Sequence, residues 1–264
     1  MQQLNSAEQI KKLIGLHIKT GNKELFYKYH EELGIEVFQT FIPTKPENSL
    51  FLNFQGQLFT HAPYWNNLVK EYDDKSVITW KYMKFVASRI FYHHINKNKL
   101  RLVTHLGAGY PGDSIEQKMD RLSENLHYFL KLDADFLILL ETEPGSKKGD
   151  NFTFNILNEV VSNIKDDRIG ICVDSEHMFA NGEEPPQDWK NVKLLHFNSI
   201  PEKVVFGSHI DRHSSTLLEE STMIEYLIKE YLIQALNKNI PVIFERKTVE
   251  MQLQDRNFII RKVL

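Results

Sequence analysis

Cysteine is nearly absent from this chain, in which Cys172 is the only one among 264 residues. A single cysteine cannot form an internal disulfide, and its place inside the apolar run IGICVD is typical of a small buried core residue. The first residues, MQQLNSAEQIKKL, also lack the basic and apolar segments of a secretory leader. We therefore expect a reducing intracellular location, the cytoplasm in the simplest case, with a nucleus or a viral factory as alternatives.

Long apolar runs are missing as well. No stretch approaches the roughly 18 uncharged apolar residues of a membrane span. There is also no repeat, no low-complexity tract and no linker rich in Pro, Gly or Ser that would divide the chain. These absences predict a single domain over residues 1–264 that does not cross a membrane. No coiled-coil pattern or exposed apolar stripe demands an oligomer, and we expect a monomer.

The chain has no excess of positive charge, because 32 Lys and Arg residues face 35 Asp and Glu residues and the formal net charge is -3. This balance is unusual for a protein that binds nucleic acid, where basic surfaces are the rule. Three bound divalent cations would change the net charge to about +3 and would concentrate the positive charge in one place. A nucleic-acid binder of this composition would hold phosphate through metal ions and a few local Arg and Lys side chains.

Short apolar runs rich in Ile, Leu, Val and Phe recur along the chain, as in buried parallel strands. There are eight of them, at 13–18, 36–42, 57–64, 101–107, 136–142, 169–175, 192–198 and 241–246. Helical patterns lie between them, at 76–98, 113–132, 151–164 and 219–236, and a last one starts at Val249. The segment 43–56 is too short for a full crossover helix. Eight alternating units predict the α/β class and a single (β/α)8 TIM barrel, with the active site at the C-terminal ends of the strands.

Runs three to eight each carry, near their C-terminal end, a residue type that binds metals. These residues are His61, His105, Glu141, Asp174, His196 and Glu245. Close by in the sequence are His177, Asp211 and His213. Five histidines and four carboxylates suit divalent ions such as zinc or manganese, and nine ligands suit three ions. Such a cluster is what phosphodiester hydrolysis requires, because it generates hydroxide at neutral pH and stabilises the leaving oxygen.

Several motifs, taken together, give the chain a family resemblance. They are GLHIKTG (15–21), THAPYWNNL (60–68), THLGAGYPG (104–112), GICVDSEHMFANG (170–182), LLHFNSIPEKVVFGSHIDRHSS (194–215) and PVIFER (241–246). With them the chain resembles the endonuclease IV family of apurinic/apyrimidinic endonucleases over nearly its whole length, and its compact size resembles the shorter, viral-type members. The departures include Leu106 where proline is usual and Ser199 where aspartate is typical.

The resemblance implies three zinc ions per chain, with Mn²⁺ as an alternative at one or more sites. The implied ligands are His61, His105 and a bridging Glu141 for the first ion, Asp174, His196 and Glu245 with Glu141 for the second, and His177, Asp211 and His213 for the third. Glu141 and Glu245 are the implied catalytic residues, around a hydroxide between the first two ions. Family members cut double-stranded DNA on the 5′ side of an abasic site, leave a 3′-hydroxyl, and also trim blocked 3′ ends.

The resemblance also implies DNA contacts. Tyr64 and Trp65 stand where wedge residues enter the minor groove beside the extruded sugar. The other predicted contacts are His17, Arg212, Lys147 and Lys148. The alternatives are rim packing for the two aromatic residues, solvated surface charges for the basic ones, and support of a metal ligand for His17.

Two other functions remain open from the sequence. A sugar isomerase or epimerase of the related barrel type also places His, Asp and Glu around divalent metals, and the His177 and Asp211 motifs argue for a third ion instead. A non-catalytic protein that binds damaged DNA is the second alternative, and the presence of Glu141 and Glu245 argues against it.

Overall fold

The computed structural model describes residues 6–19, 23–41, 54, 56–72, 100–132, 136–147, 151–212 and 215–264. Within them, eight parallel strands form a closed barrel in chain order, which confirms the predicted (β/α)8 architecture. The strands are β1 (Ile14–His17), β2 (Val37–Phe41), β3 (Gln57–His61), β4 (Leu100–Thr104), β5 (Phe136–Glu141), β6 (Ile169–Asp174), β7 (Val192–His196) and β8 (Val242–Phe244). Pairing of β1 with β8 closes the barrel.

Helices surround this barrel. They are α1 (Ala7–Leu13), α2 (Lys23–Leu33), α3 (Ile115–Leu132), α4 (Phe154–Ile164), α5 (Ser175–Asn181), α6 (Ile224–Leu227), α7 (Ile233–Asn237) and α8 (Val249–Val263), with a π-helical turn (Ile228–Leu232) joining α6 to α7 and a 3₁₀ turn at Leu218–Glu220. The predicted helix 76–98 and nearly all of the segment 43–56 lie outside the described residues.

Helix ends follow their capping residues. Helix α4 begins three residues later than the pattern 151–164 predicted, because the side chain of Thr153 accepts a hydrogen bond from Ile156 N and caps the helix there. Ser114 makes the equivalent contact with Gln117 N before α3, at 3.4 Å. None of the helices in the described part of the chain is long and apolar enough to cross a membrane.

Two layers of the barrel interior position the site, since every second side chain of a strand points inward. The lower layer is apolar and takes one residue from each of seven strands: Val37, Phe59, Val103, Leu139, Cys172, Leu194 and Ile243. In β1 the equivalent position is Gly15, where a Cβ atom would lie 2.2 Å from the carbonyl oxygen of Val37. Only glycine fits at that approach.

The upper layer lies two residues farther along each strand. It contains His17, Gln39, His61, His105, Glu141, Asp174, His196 and Glu245. All eight are polar, whereas the layer below them is apolar or, at Gly15, bare. The C-terminal mouth of the barrel is therefore a polar site on a closed apolar floor, where active sites of this architecture lie.

Candidate metal centre

Glu141 lies at the middle of the site. It is the last residue of β5 and is fully buried. Its Oε2 is 3.0 Å from His61 Nε2 and 3.3 Å from His105 Nε2. Its Oε1 is 2.9 Å from His196 Nδ1. The two oxygens thus face different groups of histidines, which is the geometry of a carboxylate that bridges two cations.

The first ligand group consists of His61, His105 and Glu141, whose donor atoms all lie within 4.8 Å of one another. His61 Nδ1 donates to the carbonyl of Ala62 at 2.7 Å. This bond holds the Nδ1 proton of His61 and leaves Nε2, which faces Glu141, as the nitrogen that could bind a cation, as in metal sites where a backbone oxygen fixes the imidazole tautomer.

The second group consists of Glu141, Asp174, His196 and Glu245, again with donor atoms within 4.8 Å. His196 Nδ1 is 3.2 Å from Glu245 Oε2 and 4.0 Å from Asp174 Oδ2. Asp174 also caps α5, because its Oδ1 accepts hydrogen bonds from Glu176 N and His177 N. The same carboxylate therefore fixes the helix that carries His177.

Two of the three predicted ligands of the third ion come together. His177 Nε2 is 3.4 Å from Asp211 Oδ2, while His177 Nδ1 donates to the carbonyl of Thr142 at 2.8 Å. The loop that carries Asp211 is tied to α5, since Arg212 N donates to Glu176 and His209 N donates to Ala180. The third predicted ligand, His213, lies outside the described residues.

The protonation of the site matches a metal centre. Burial alone would raise the pKa of Glu141, but His105 and His196 lower that pKa well below its ordinary value. Burial lowers the pKa of His177, but Asp174 and Asp211 raise it well above its usual value. Without an ion, protons on histidines balance the ionised carboxylates, and a bound cation replaces those protons.

The donor set fits divalent ions, because buried imidazole nitrogens and carboxylate oxygens converge on shared positions. Cys172 Sγ also lies within 4.8 Å of donor atoms of Glu141 and His196. However, burial raises the pKa of the Cys172 thiol to about 12, and the side chain belongs to the apolar lower layer. We therefore assign the ligand role to the nitrogen and oxygen donors of the upper layer, and not to Cys172 in the apolar layer below them.

Gln39 and Asn198 also belong to the site, and the sequence patterns missed them. Gln39 contacts His17, His196 and Glu245. Asn198 Nδ2 donates to Asp174 Oδ2 at 2.5 Å, and Asn198 Oδ1 accepts from Glu245 N at 3.1 Å. The available signal for Gln39 was its place as a polar residue inside the apolar run EVFQTFI, two residues after the inward-facing Val37.

The predicted DNA contacts lie around the same mouth. Tyr64 and Trp65 are 67% and 57% exposed, and the Tyr64 ring stacks on His105 with centroids 4.9 Å apart. Lys147 and Arg212 are exposed, and Lys148 lies outside the described residues. His17 is only 8% exposed, and its Nδ1 lies 3.6 Å from Glu245 Oε1.

A cavity of about 360 Å³ opens beside Glu245. Its lining includes His17, Lys19, Phe41, Tyr64 and Lys247. The aromatic residues and the lysines at this opening give it apolar and cationic sides, and Glu245 and Glu250 add carboxylates to the lining.

The family model described as xylose isomerase-like TIM barrel matches residues 92–239. Two solved structures share the fold of this chain at low sequence identity. A xylose isomerase domain containing protein from Salmonella typhimurium has a TM-score of 0.66 at 11% identity and covers 100% of this chain and 97% of its own. An AP endonuclease, family 2, from Brucella melitensis has a TM-score of 0.58 at 10% identity and covers 90% of this chain and 95% of its own.

Curated relatives are more specific. Apurinic-apyrimidinic endonuclease 1 of Plasmodium berghei is 28% identical over 216 residues, which are 75% of this chain and 41% of that protein. Probable endonuclease 4 of Heliobacterium modesticaldum is 25% identical, and the match covers 60% of each chain. Probable endonuclease 4 of Mycoplasmopsis pulmonis is 25% identical over 85% of this chain and 78% of its own. The chain thus spans about half the length of the first two relatives, and the three together confirm the resemblance to the endonuclease IV family.

Proposed function

The chain belongs to the xylose isomerase-like TIM barrel family, and from its candidate metal centre and its curated relatives we propose that it is a metal-dependent nuclease that cuts double-stranded DNA on the 5′ side of abasic sites and leaves a 3′-hydroxyl. We further propose three zinc ions per chain, a monomeric state and an accompanying activity that trims blocked 3′ ends. The observation that carries this proposal is the fully buried Glu141, whose two oxygens face two different ligand groups at the polar mouth of the barrel.

The residues divide the work of hydrolysis. When bound, divalent ions here supply a hydroxide nucleophile at neutral pH, hold the scissile phosphate and stabilise the leaving oxygen. His61, His105 and Glu141 would hold the first ion. Asp174, His196 and Glu245, with Glu141, would hold the second. His177 and Asp211, together with His213 from the sequence, would hold the third.

Glu245 is the carboxylate placed to accept a proton from the attacking water. Its side chain is 15% exposed, it lines the cavity at the mouth, and it lies beside His196. Burial would raise its pKa, but the neighbouring His196 lowers that pKa well below its ordinary value, so the carboxylate is ionised. An ionised carboxylate at the open side of the centre orients the attacking water and accepts its proton.

An abasic sugar is well suited to this buried centre. Turning it out of the duplex costs less than turning out a nucleotide, since no base has to lose its stacking or pairing. Tyr64 and Trp65 project from the loop after β3 and would fill the gap left in the duplex.

The decisive experiment incubates the purified protein with a duplex that contains one tetrahydrofuran abasic analogue, and with the same duplex without it. We expect a single incision, 5′ to the analogue, whose product a DNA polymerase extends. Elemental analysis of the same preparation is expected to give three zinc ions per chain. An uncut duplex, together with conversion of a ketose or aldose by the same preparation, would favour the isomerase alternative.

A second prediction concerns the two exposed aromatic residues. Replacing Tyr64 and Trp65 with alanine is expected to weaken binding to the abasic duplex roughly 30- to 1000-fold, because two aromatic anchors that each contribute on the order of 1–2 kcal/mol at an interface together contribute about 2–4 kcal/mol. Removal of a blocking group from a short 3′ end needs no wedge, so the rate of that reaction should fall much less. Fluorescence anisotropy and product analysis measure the two effects.

The matched control is Leu33→Ala, which also removes an exposed apolar side chain (46% exposed) but lies before β2, at the opposite end of the barrel. Its DNA affinity should equal that of the unaltered protein. Equal losses of the Tyr64 and Trp65 variant on both substrates would count against a wedge.

A further inference from the structure

The amide of Gln39 connects three side chains of the upper layer. Gln39 is fully buried on β2. Its Nε2 lies 2.9 Å from Glu245 Oε1 and 3.0 Å from His17 Nδ1, and its Oε1 lies 2.9 Å from His196 Nε2. One amide thus contacts a ligand from β7, a ligand that follows β8 and a histidine from β1.

Chemistry fixes the direction of each of these hydrogen bonds. An ionised carboxylate only accepts, so Gln39 Nε2 donates to Glu245. The Gln39 oxygen also only accepts, so the proton on His196 must be on Nε2. The second amide hydrogen points to His17 Nδ1, which must then be an acceptor, with the His17 proton on Nε2.

This arrangement makes Nδ1 the nitrogen of His196 that can bind a cation. Nδ1 is the atom that faces the carboxylates, at 2.9 Å from Glu141 Oε1 and 3.2 Å from Glu245 Oε2. Asn198 adds a contact from the other side, since its Nδ2 lies 3.5 Å from Glu245 Oε2. Glu245 is therefore held at both oxygens by amide groups that donate hydrogen bonds.

We propose that Gln39 is a positioning residue of the second metal site: it orients Glu245, directs His196 to coordinate through Nδ1, and depends on His17 as the acceptor that fixes its own amide. This inference rests on the metal centre of the proposed function but not on its DNA substrate. Hydrogen-bond partners of metal ligands of this kind change metal affinity or activity by about 10- to 100-fold when they are removed.

Nitrogen chemical shifts test the tautomers directly. In zinc-loaded protein labelled with ¹⁵N-histidine, with signals assigned by single-histidine substitutions, we expect His196 to carry its proton on Nε2 and to bind zinc through Nδ1. We expect His17 to be neutral and protonated on Nε2. Coordination of His196 through Nε2, or a proton on His17 Nδ1, would overturn the inference.

Two substitutions separate the roles of the amide. Gln39→Leu removes every contact, whereas Gln39→Glu keeps an acceptor for His196 but loses the donor to Glu245. We expect both variants to release the second zinc ion to a chromogenic chelator with about 10- to 100-fold weaker affinity. Gln39→Leu, which also removes the acceptor for the Nε2 proton of His196, should show the larger loss of the two.

The control is Thr60→Val, because Thr60 is a buried polar residue of the neighbouring strand β3 whose side chain alternates away from the interior. It should bind zinc as the unaltered protein does. In incision assays we expect the Gln39 variants to lower kcat with little change in KM, since no predicted DNA contact is altered. Unchanged zinc affinity in a folded Gln39→Leu protein would refute the positioning role.

The outcomes of the two proposals are distinguishable. Weaker zinc binding by the Gln39 variants would support the positioning role even if the unaltered protein fails to cut abasic DNA. That failure would reject the nuclease and leave the positioning role intact.

Discussion

Replacement of Glu245 by glutamine is expected to lower the rate of abasic-site incision by about 10²- to 10⁴-fold, the usual contribution of a positioned general base. The amide has nearly the same shape but carries no negative charge and takes no proton from water. Binding of abasic duplex should remain nearly intact, because the exposed side chains expected to contact DNA, Tyr64 and Trp65 among them, are unchanged. Single-turnover incision and anisotropy measure the two quantities.

Glu32→Gln is the matched control. Glu32 is an exposed glutamate near the end of α2, at the opposite end of the barrel from the ligand groups. Its incision rate should equal that of the unaltered protein. Because Glu245 is also an expected ligand, zinc content must be measured for each variant. Full incision by Glu245→Gln with a normal zinc content would reject the assigned role.

Removal of the metal ions is expected to abolish incision and to lower the melting temperature by roughly 10 °C. An ion present at about a thousandfold excess over its Kd stabilises the folded state by about 4 kcal/mol, and 1 kcal/mol shifts the melting temperature of a chain of this size by roughly 2–4 °C. The buried carboxylates at Glu141 and Asp174 would also lose the cations that compensate their charge.

The experiment compares calorimetry of the protein before and after dialysis against a chelator, followed by return of zinc or magnesium. Zinc should restore both activity and melting temperature, whereas magnesium should not, because a site rich in imidazole nitrogen favours zinc. A metal-free protein that melts at the original temperature and still cuts abasic DNA would contradict the proposed centre.

The strands were predictable because each is a short apolar run, and all eight runs form strands. The convergence of the candidate ligands at one mouth of the barrel was also predictable, since a His, Asp or Glu at the end of a buried strand stands out against its apolar neighbours. The short helix α1 was not predicted. Its seven residues bury only Ile10 and Leu13, which is too few for a clear period.

The supporting amides were harder to find. Gln39 and Glu245 are 206 positions apart in the chain, and Asn198 and Glu245 are 47 apart. A local pattern identifies a residue by its neighbours in sequence, whereas the role of an amide depends on the partners that the closed barrel brings to it. The same limit applies to His17, because its motif left DNA contact and support of a metal ligand as alternatives, and only the folded barrel shows its contact with Gln39.

The closure of the barrel by β1 and β8 has a consequence for synthesis on the ribosome. The residues of the first ligand group are all translated once Glu141 has been added, but the second group also needs Glu245, about 100 residues later. At roughly 5–20 residues per second, the nascent chain grows for on the order of 5–20 s between these two points. During that interval only the first set of neighbours of Glu141 has been made, so the second ligand group of the proposed centre can be complete only after β8 has joined β1.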